Sequence, residues 1–380
     1  MKIMHSKLNY TLLISLILLS LNSFKAAMAE PQTVTIPAEF HPLNEPLVSV
    51  LNIPLLASAS SPVPACLIIH GSGGLFSEGN IGDDCDTSPD NMSDNYTELM
   101  NLFNGINVAS ITPSSFVSRD ARFCEDNDED FFQFVAPPFH NPGDGKPMRD
   151  DFYKMRRVVV RTLDLLATYN YLCALESIDC SKTCMAGTSN GSTSIMSYIA
   201  NGIGDHLKEY TNINQQREHE SSSNFDERIM AFNNFPELPE DINLQLSAAI
   251  KPVFVSAISP GCSLRKIVPT ITAEDNDFDP VAHILDLYYP SNNTQLHLEI
   301  GTADDVPDAC YNGGFRETQA MDYELIANIL PKNSQYLVST YENAPHDLLG
   351  EEAEGDHIRQ KIKQLAIERF YVIFKNDFEN

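Results

Sequence analysis

Thr183-Cys184-Met185-Ala186-Gly187-Thr188-Ser189-Asn190-Gly191-Ser192, continuing to Ala200, decides how the chain is read. An apolar run ends at Ala186. Gly187-Thr188-Ser189-Asn190-Gly191 turns sharply. Ser192 to Ala200 then reads as a helix. This is G-x-S-x-G between a strand and a helix, a turn that lifts one serine hydroxyl off the end of a strand into the N-terminal field of the next helix. A Cβ at Gly187 or Gly191 would clash with the crossing strand and helix. The motif alone is weak. The required strand before it and helix after it give it weight.

Outward from that turn, strand and helix patterns alternate. Thr33 to Pro37 and Leu47 to Pro54 read as an opening antiparallel pair. Ala65 to Ile69 is a buried strand that runs into His70-Gly71-Ser72-Gly73-Gly74. Tyr96 to Phe103 reads as helix and Val108 to Thr112 as strand. Phe152, Met155, Val159, Leu163 and Leu166 recur every three or four residues, the mark of an amphipathic helix. Val253 to Ile258, Leu296 to Ile300 and Tyr336 to Thr340 are further short apolar strands. Ile358, Ile362, Leu365, Ala366 and Phe370 line a final amphipathic helix. Such alternation builds βαβ units, so the fold class is α/β with a mostly parallel sheet flanked by helices. Gly204 to Gln245 is polar and broken by prolines, and reads as a lid-like insertion outside the core.

The 380 residues are 43% hydrophobic and 20% charged, a globular composition. A formal net charge of −27 disfavours phosphate backbones and anionic membranes as partners, because they would be repelled. The first residues read as an export signal. Lys2 and Lys7 give a basic start, Leu12 to Leu21 is apolar, and Ala27-Met28-Ala29 is a small-x-small cleavage site. Residues 1–29 are therefore expected to be removed, leaving 30–380 as one domain in the periplasm or outside the cell. No later stretch is long and apolar enough to span a bilayer.

Export permits disulfides among the eight cysteines. Cys66 and Cys184 lie inside apolar strand-like runs and read as buried thiols. The loop positions favour Cys85–Cys124, Cys173–Cys180 and Cys262–Cys310. The absence of any C-x-x-C pair speaks against zinc. The acidic runs Glu125 to Asp130 and Asp275, Asp277 and Asp279 read as solvated loops, because the glycine of an EF-hand loop is missing.

A serine hydroxyl needs a base, and that base needs an orienting carboxylate. On a sheet of this kind the chain order is serine, acid, histidine. Ser189 is on the elbow. Gly301-Thr302-Ala303-Asp304-Asp305 follows the strand Leu296 to Ile300. Ala344-Pro345-His346-Asp347 follows the strand Tyr336 to Thr340. Each stands just past the C-terminal end of a strand, where open α/β sheets place their sites. Asp304 and Asp305 both follow Gly301, so the motif alone leaves the acid open between them. The expected oxyanion donors are the Asn190 N–H and an N–H of Gly71 or Ser72. His70, at the same turn, reads as a structural imidazole that ties the loop down.

These stretches, with Pro113-Ser114-Ser115-Phe116 and Ser259-Pro260-Gly261-Cys262, resemble the dienelactone-hydrolase-like branch of the α/β-hydrolases over roughly residues 60 to 375. The resemblance implies an α/β-hydrolase fold and cofactor-free hydrolysis, with Ser189 as nucleophile, Asp304 as acid and His346 as base. It also implies that Cys262 and Cys310 are neighbours. Dienelactone hydrolases proper carry a cysteine nucleophile. Ser189 in its place points to a general ester, small-molecule or polymeric, as substrate. Peptide or amide cleavage on the same triad and a catalytically silent binding protein are the alternatives.

Overall fold

A computed structural model describes residues 29–37, 46–71, 74–76, 87–115, 150–200, 203–216, scattered positions from 222 to 232, 237–248, 251–260, 294–304 and 336–371. Among them eight strands form one sheet: β1 (Gln32–Ile36), β2 (Leu47–Asn52), β3 (Val63–Ile69), β4 (Ala109–Ser114), β5 (Ile178–Thr188), β6 (Phe254–Ile258), β7 (Gln295–Gly301) and β8 (Tyr336–Tyr341). Their spatial order is β1-β2-β4-β3-β5-β6-β7-β8. β1 and β2 pair antiparallel, as do β2 and β4, and the remaining pairs are parallel. An antiparallel hairpin leading into a parallel sheet in this order is the α/β-hydrolase fold.

Helices cover both faces, so the central strands are apolar throughout rather than alternating with polar residues. β3 shows the consequence, with all seven residues buried. Ala65, Leu67 and Ile69 point into one core cluster, and Cys66 and Ile68 into the other. Helix α2 (Asp150–Cys173) and helix α3 (Asn190–Ile199) fill the first cluster with Val159, Leu163, Leu166, Ile195 and Met196. Helix α1 (Asp94–Asn104) and helix α6 (Glu352–Tyr371) fill the second with Leu99, Phe103, Ile358, Ile362, Ala366 and Phe370. The spacing of three or four residues along α1, α2 and α6 is what places each of those sets on one face.

Two readings of the sequence change here. β5 starts at Ile178, five residues ahead of the apolar run. Asp179, Cys180, Ser181 and Lys182 reach past the covered part of the sheet and are not buried, so their polarity hides the strand. The stretch 204–245, expected to stay outside the core, contributes to it. Helix α4 (Ile203–Thr211) and helix α5 (Ile242–Ala248) bury Leu207 and Ile242 in the cluster that holds Ile199, and Phe232 and Leu238 join them. Prolines and charges between these widely spaced apolar residues mask the pattern in the sequence.

The cysteines need a correction as well. Cys66 and Cys184 are not buried thiols but form a disulfide. Cys66 stands directly opposite Cys184 in the β3–β5 ladder, on the same face, so their side chains meet. Cys173–Cys180 is paired as expected. Cys85, Cys124, Cys262 and Cys310, the acidic runs and the export segment up to residue 28 lie outside the described residues. No described helix is long and apolar enough to cross a membrane.

Candidate active site

The site is built at the C-terminal edge of the sheet by the turns after β5, β7 and β8. Ser189 has φ 49° and ψ −121°, a region that a non-glycine residue enters only when its surroundings hold it there. Those surroundings are visible. The Ser189 N–H donates to the Ile258 carbonyl of β6 at 2.8 Å. A Cβ at Gly191 would lie 2.4 Å from the Ile69 carbonyl oxygen, so only glycine lets α3 start this close to β3. Gly301 plays the same part for the acid and base turns, because a Cβ there would sit 2.4 Å from the Ala344 carbonyl oxygen.

This packing brings three side chains from turns far apart in sequence into one line. His346 Nε2 accepts from the Ser189 hydroxyl at 2.7 Å. His346 Nδ1 donates to Asp304 Oδ2 at 2.7 Å. Asp304 is 1% exposed, shielded from the water that would compete for the imidazole. Of the two candidate carboxylates, Asp304 makes this bond, and Asp305 lies outside the described residues. The line can move a proton from a serine hydroxyl to an imidazole whose tautomer is fixed by a carboxylate.

The oxyanion side differs from expectation in one respect. The Asn190 N–H opens α3 and donates to nothing among the described residues, so it is free for a ligand. The Gly71 N–H is not free. It donates to the Tyr96 hydroxyl at 2.9 Å, and the expectation that Gly71 supplies a donor gives way for that reason. Ser72 lies outside the described residues.

Three residues to which motif reading gave no role hold this edge together. The first is Arg161 on α2, buried to 1% exposure. Its Nη1 donates to Asn190 Oδ1 at 2.8 Å and its Nη2 to the His70 carbonyl. One guanidinium thus ties the residue after Ser189 to the turn across from it, using the fixed fork that only arginine offers. The second and third are Tyr96 and Thr188, the residue before Ser189, whose hydroxyls lie 3.0 Å apart. Burial, the larger influence, raises the Tyr96 hydroxyl above its ordinary pKa, so it stays protonated. No spacing rule links α1 or α2 to the elbow. The one available signal was an arginine standing among the apolar residues of α2.

His70 does what its position suggested. The Ser115 N–H donates to His70 Nε2 at 3.2 Å, and His70 Nδ1 bonds the Gly71 carbonyl at 2.7 Å. An amide can only donate, so the imidazole is neutral and protonated at Nδ1. It staples the turn after β3 to the end of β4, and both of its nitrogens are occupied.

No known family model matches this sequence, and no curated protein matches it. Several solved structures are similar in fold. A dienelactone hydrolase-like promiscuous phosphotriesterase from metagenomic libraries is 11% identical, with a TM-score of 0.45, over 90% of this chain and 100% of its own. A putative dienelactone hydrolase from Klebsiella pneumoniae subsp. pneumoniae MGH 78578 is 10% identical, with a TM-score of 0.47, over 90% and 98%. Esterase 2 from Thermogutta terrifontis, phosphorylated by paraoxon, is 12% identical, with a TM-score of 0.47, over 90% and 95%. At such low identities a function for this chain has to be argued from its own strand order and from the geometry at Ser189.

Proposed function

We propose that this protein is an exported serine hydrolase that cleaves carboxylic esters through an acyl-enzyme, with Ser189 as nucleophile, His346 as general base and Asp304 as its orienting acid. The observation that carries this is the unbroken chain of two 2.7 Å hydrogen bonds from Ser189 through His346 to Asp304. His346 Nε2 takes the Ser189 proton as Oγ bonds to the ester carbonyl carbon. The negative charge that develops on the carbonyl oxygen is met by the Asn190 N–H and the positive end of α3. The imidazolium, held by Asp304, then gives its proton to the departing alkoxide. A water, deprotonated at the same Nε2, attacks the acyl-enzyme and frees Ser189. No cofactor takes part in these steps.

Residues 30–380 act as one domain in this proposal, with 204–245 an insertion that shapes access to the site. The free Asn190 N–H suits a small-molecule or polymeric ester alike, and the net charge of −27 disfavours nucleic acid.

The test is a fluorophosphonate label with p-nitrophenyl esters of increasing chain length. Wild type should label at Ser189 and turn over at least one ester, while folded Ser189→Ala does neither. Ester turnover by Ser189→Ala within a few-fold of wild type would end the proposal. Mass spectrometry of exported protein should find a chain beginning at Glu30, and one beginning at Met1 refutes the signal.

A further inference from the structure

We infer that the Tyr96 hydroxyl is a catalytic group of this site, the second donor to the oxyanion, standing where a backbone N–H of the turn after β3 was expected. This role rests on Ser189 being the nucleophile.

Tyr96 and Thr188 face each other at 3.0 Å and share one hydrogen bond. The pair carries two hydroxyl protons, and that bond uses one of them. The Gly71 N–H occupies a lone pair of Tyr96 at 2.9 Å and brings its own proton. Neither hydroxyl has another partner among the described residues. Among the described residues one O–H of the pair is therefore left without an acceptor, between a Tyr96 that is 8% exposed and a partly buried Thr188. A buried donor without an acceptor is costly unless something arrives to accept from it.

The location says what arrives. Thr188 precedes the nucleophile in sequence. A Cβ on Gly71 would lie 3.2 Å from Thr188 Oγ1 and 3.3 Å from Ser189 Cβ, so the Gly71 backbone rests against the nucleophile itself. The amide that ought to point at the substrate's carbonyl oxygen points at the Tyr96 oxygen instead. Once a carbonyl oxygen gathers negative charge there, the spare proton belongs on Tyr96 rather than Thr188, because the stronger donor goes to the strongest acceptor. A phenol is the more acidic hydroxyl. Two donations into its oxygen, from Gly71 and Thr188, polarise the O–H further. Burial holds the phenol protonated across the working pH range. The chain Gly71 N–H to Tyr96 O–H then ends on the oxyanion, in place of the direct amide.

Tyr96→Phe separates this role from that of a prop. A catalytic donor predicts a fall in kcat of about 10²- to 10³-fold with KM little changed, the usual cost of removing one oxyanion donor. A prop predicts the opposite, because removing the hydroxyl releases the Gly71 N–H to serve as the donor and leaves kcat within a few-fold of wild type. That result overturns the inference. Thr188→Val should cost less than about 10-fold, since it removes only a polarising contact. A large loss there with a small one in Tyr96→Phe also overturns it. Should Tyr96→Phe fail to fold, a fluorinated tyrosine at position 96 keeps the shape while acidifying the phenol. The alkaline limb of kcat must then move to lower pH, and an unmoved limb refutes the role. Folded Tyr96→Phe that still reacts with a fluorophosphonate at Ser189 keeps the hydrolase proposal apart from this one. A wild type that never labels sinks the former.

Discussion

His297 lies on β7, the strand that leads to Asp304, and is 1% exposed. Neither ring nitrogen has a hydrogen-bond partner among the described residues, and the ring packs edge-on against Phe254 at 6.4 Å. Desolvation, with smaller repulsions from Lys361 and Arg369, lowers its pKa to about 4. In the unfolded chain the value returns to about 6.5, so the unfolded state takes up the proton first as pH falls. Stability from this group is whole above about pH 6.5 and drains away as pH drops through about 4. With these two values the loss is about 2 kcal/mol at pH 5 and about 3 kcal/mol at pH 4. His297→Leu removes the titration and leaves no orphaned polar atom. It should change stability by less than ~1.5 kcal/mol at neutral pH, as volume-conserving core changes do. Urea unfolding of both proteins at pH 7.5, 5 and 4 tests this, and only the difference between them is read, since other groups titrate in both. The gap should widen in favour of His297→Leu by about 2 kcal/mol between pH 7.5 and 5. A gap independent of pH would refute a depressed His297.

Asp304→Asn should lower kcat by about 10⁴-fold by leaving His346 in the wrong tautomer, whereas Asp305→Asn should stay close to wild type; reversed losses would move the acid by one residue. Arg161→Leu removes two hydrogen bonds from a charged donor, each worth about 1.5–3 kcal/mol, so kcat should fall at least ~10-fold in folded protein with KM little changed. Arg161→Lys should recover part of that loss, and an unchanged kcat in Arg161→Leu removes it as a positioning residue. Cys66→Ala with Cys184→Ala opens a loop of 118 residues and should cost about 5 kcal/mol on chain entropy, read by urea unfolding of oxidised protein. Peptide mapping under non-reducing conditions should find Cys66 joined to Cys184 and Cys173 to Cys180. Finding Cys66 as a free thiol contradicts the structure, and finding Cys262 or Cys310 free removes that proposed bridge.

The sequence by itself determined the succession of strands, the helices α1, α2, α3 and α6, and the polar residues that stand at the strand ends. A strand between two helical layers must be apolar along its length, as β3 is, and a surface helix must repeat its apolar residues every three or four, as α6 does. Both are local consequences of backbone geometry and survive in the order of residues. The line Ser189, Asp304, His346 was legible for the same reason, since each residue stands a fixed short distance beyond a strand and the chain order is a property of the fold. What only the tertiary structure decided is lateral. Cys66 meets Cys184 because β3 and β5 are paired in one register, and nothing in either strand states that register across 118 residues. Gly71 gives its N–H to Tyr96, 25 residues away, and Arg161 reaches His70 across 91, because helices α1 and α2 settle against the sheet at particular rotations. Apolar packing sets those rotations through the whole core at once. A polar group carried on such a helix therefore meets partners that its own neighbours in sequence do not name.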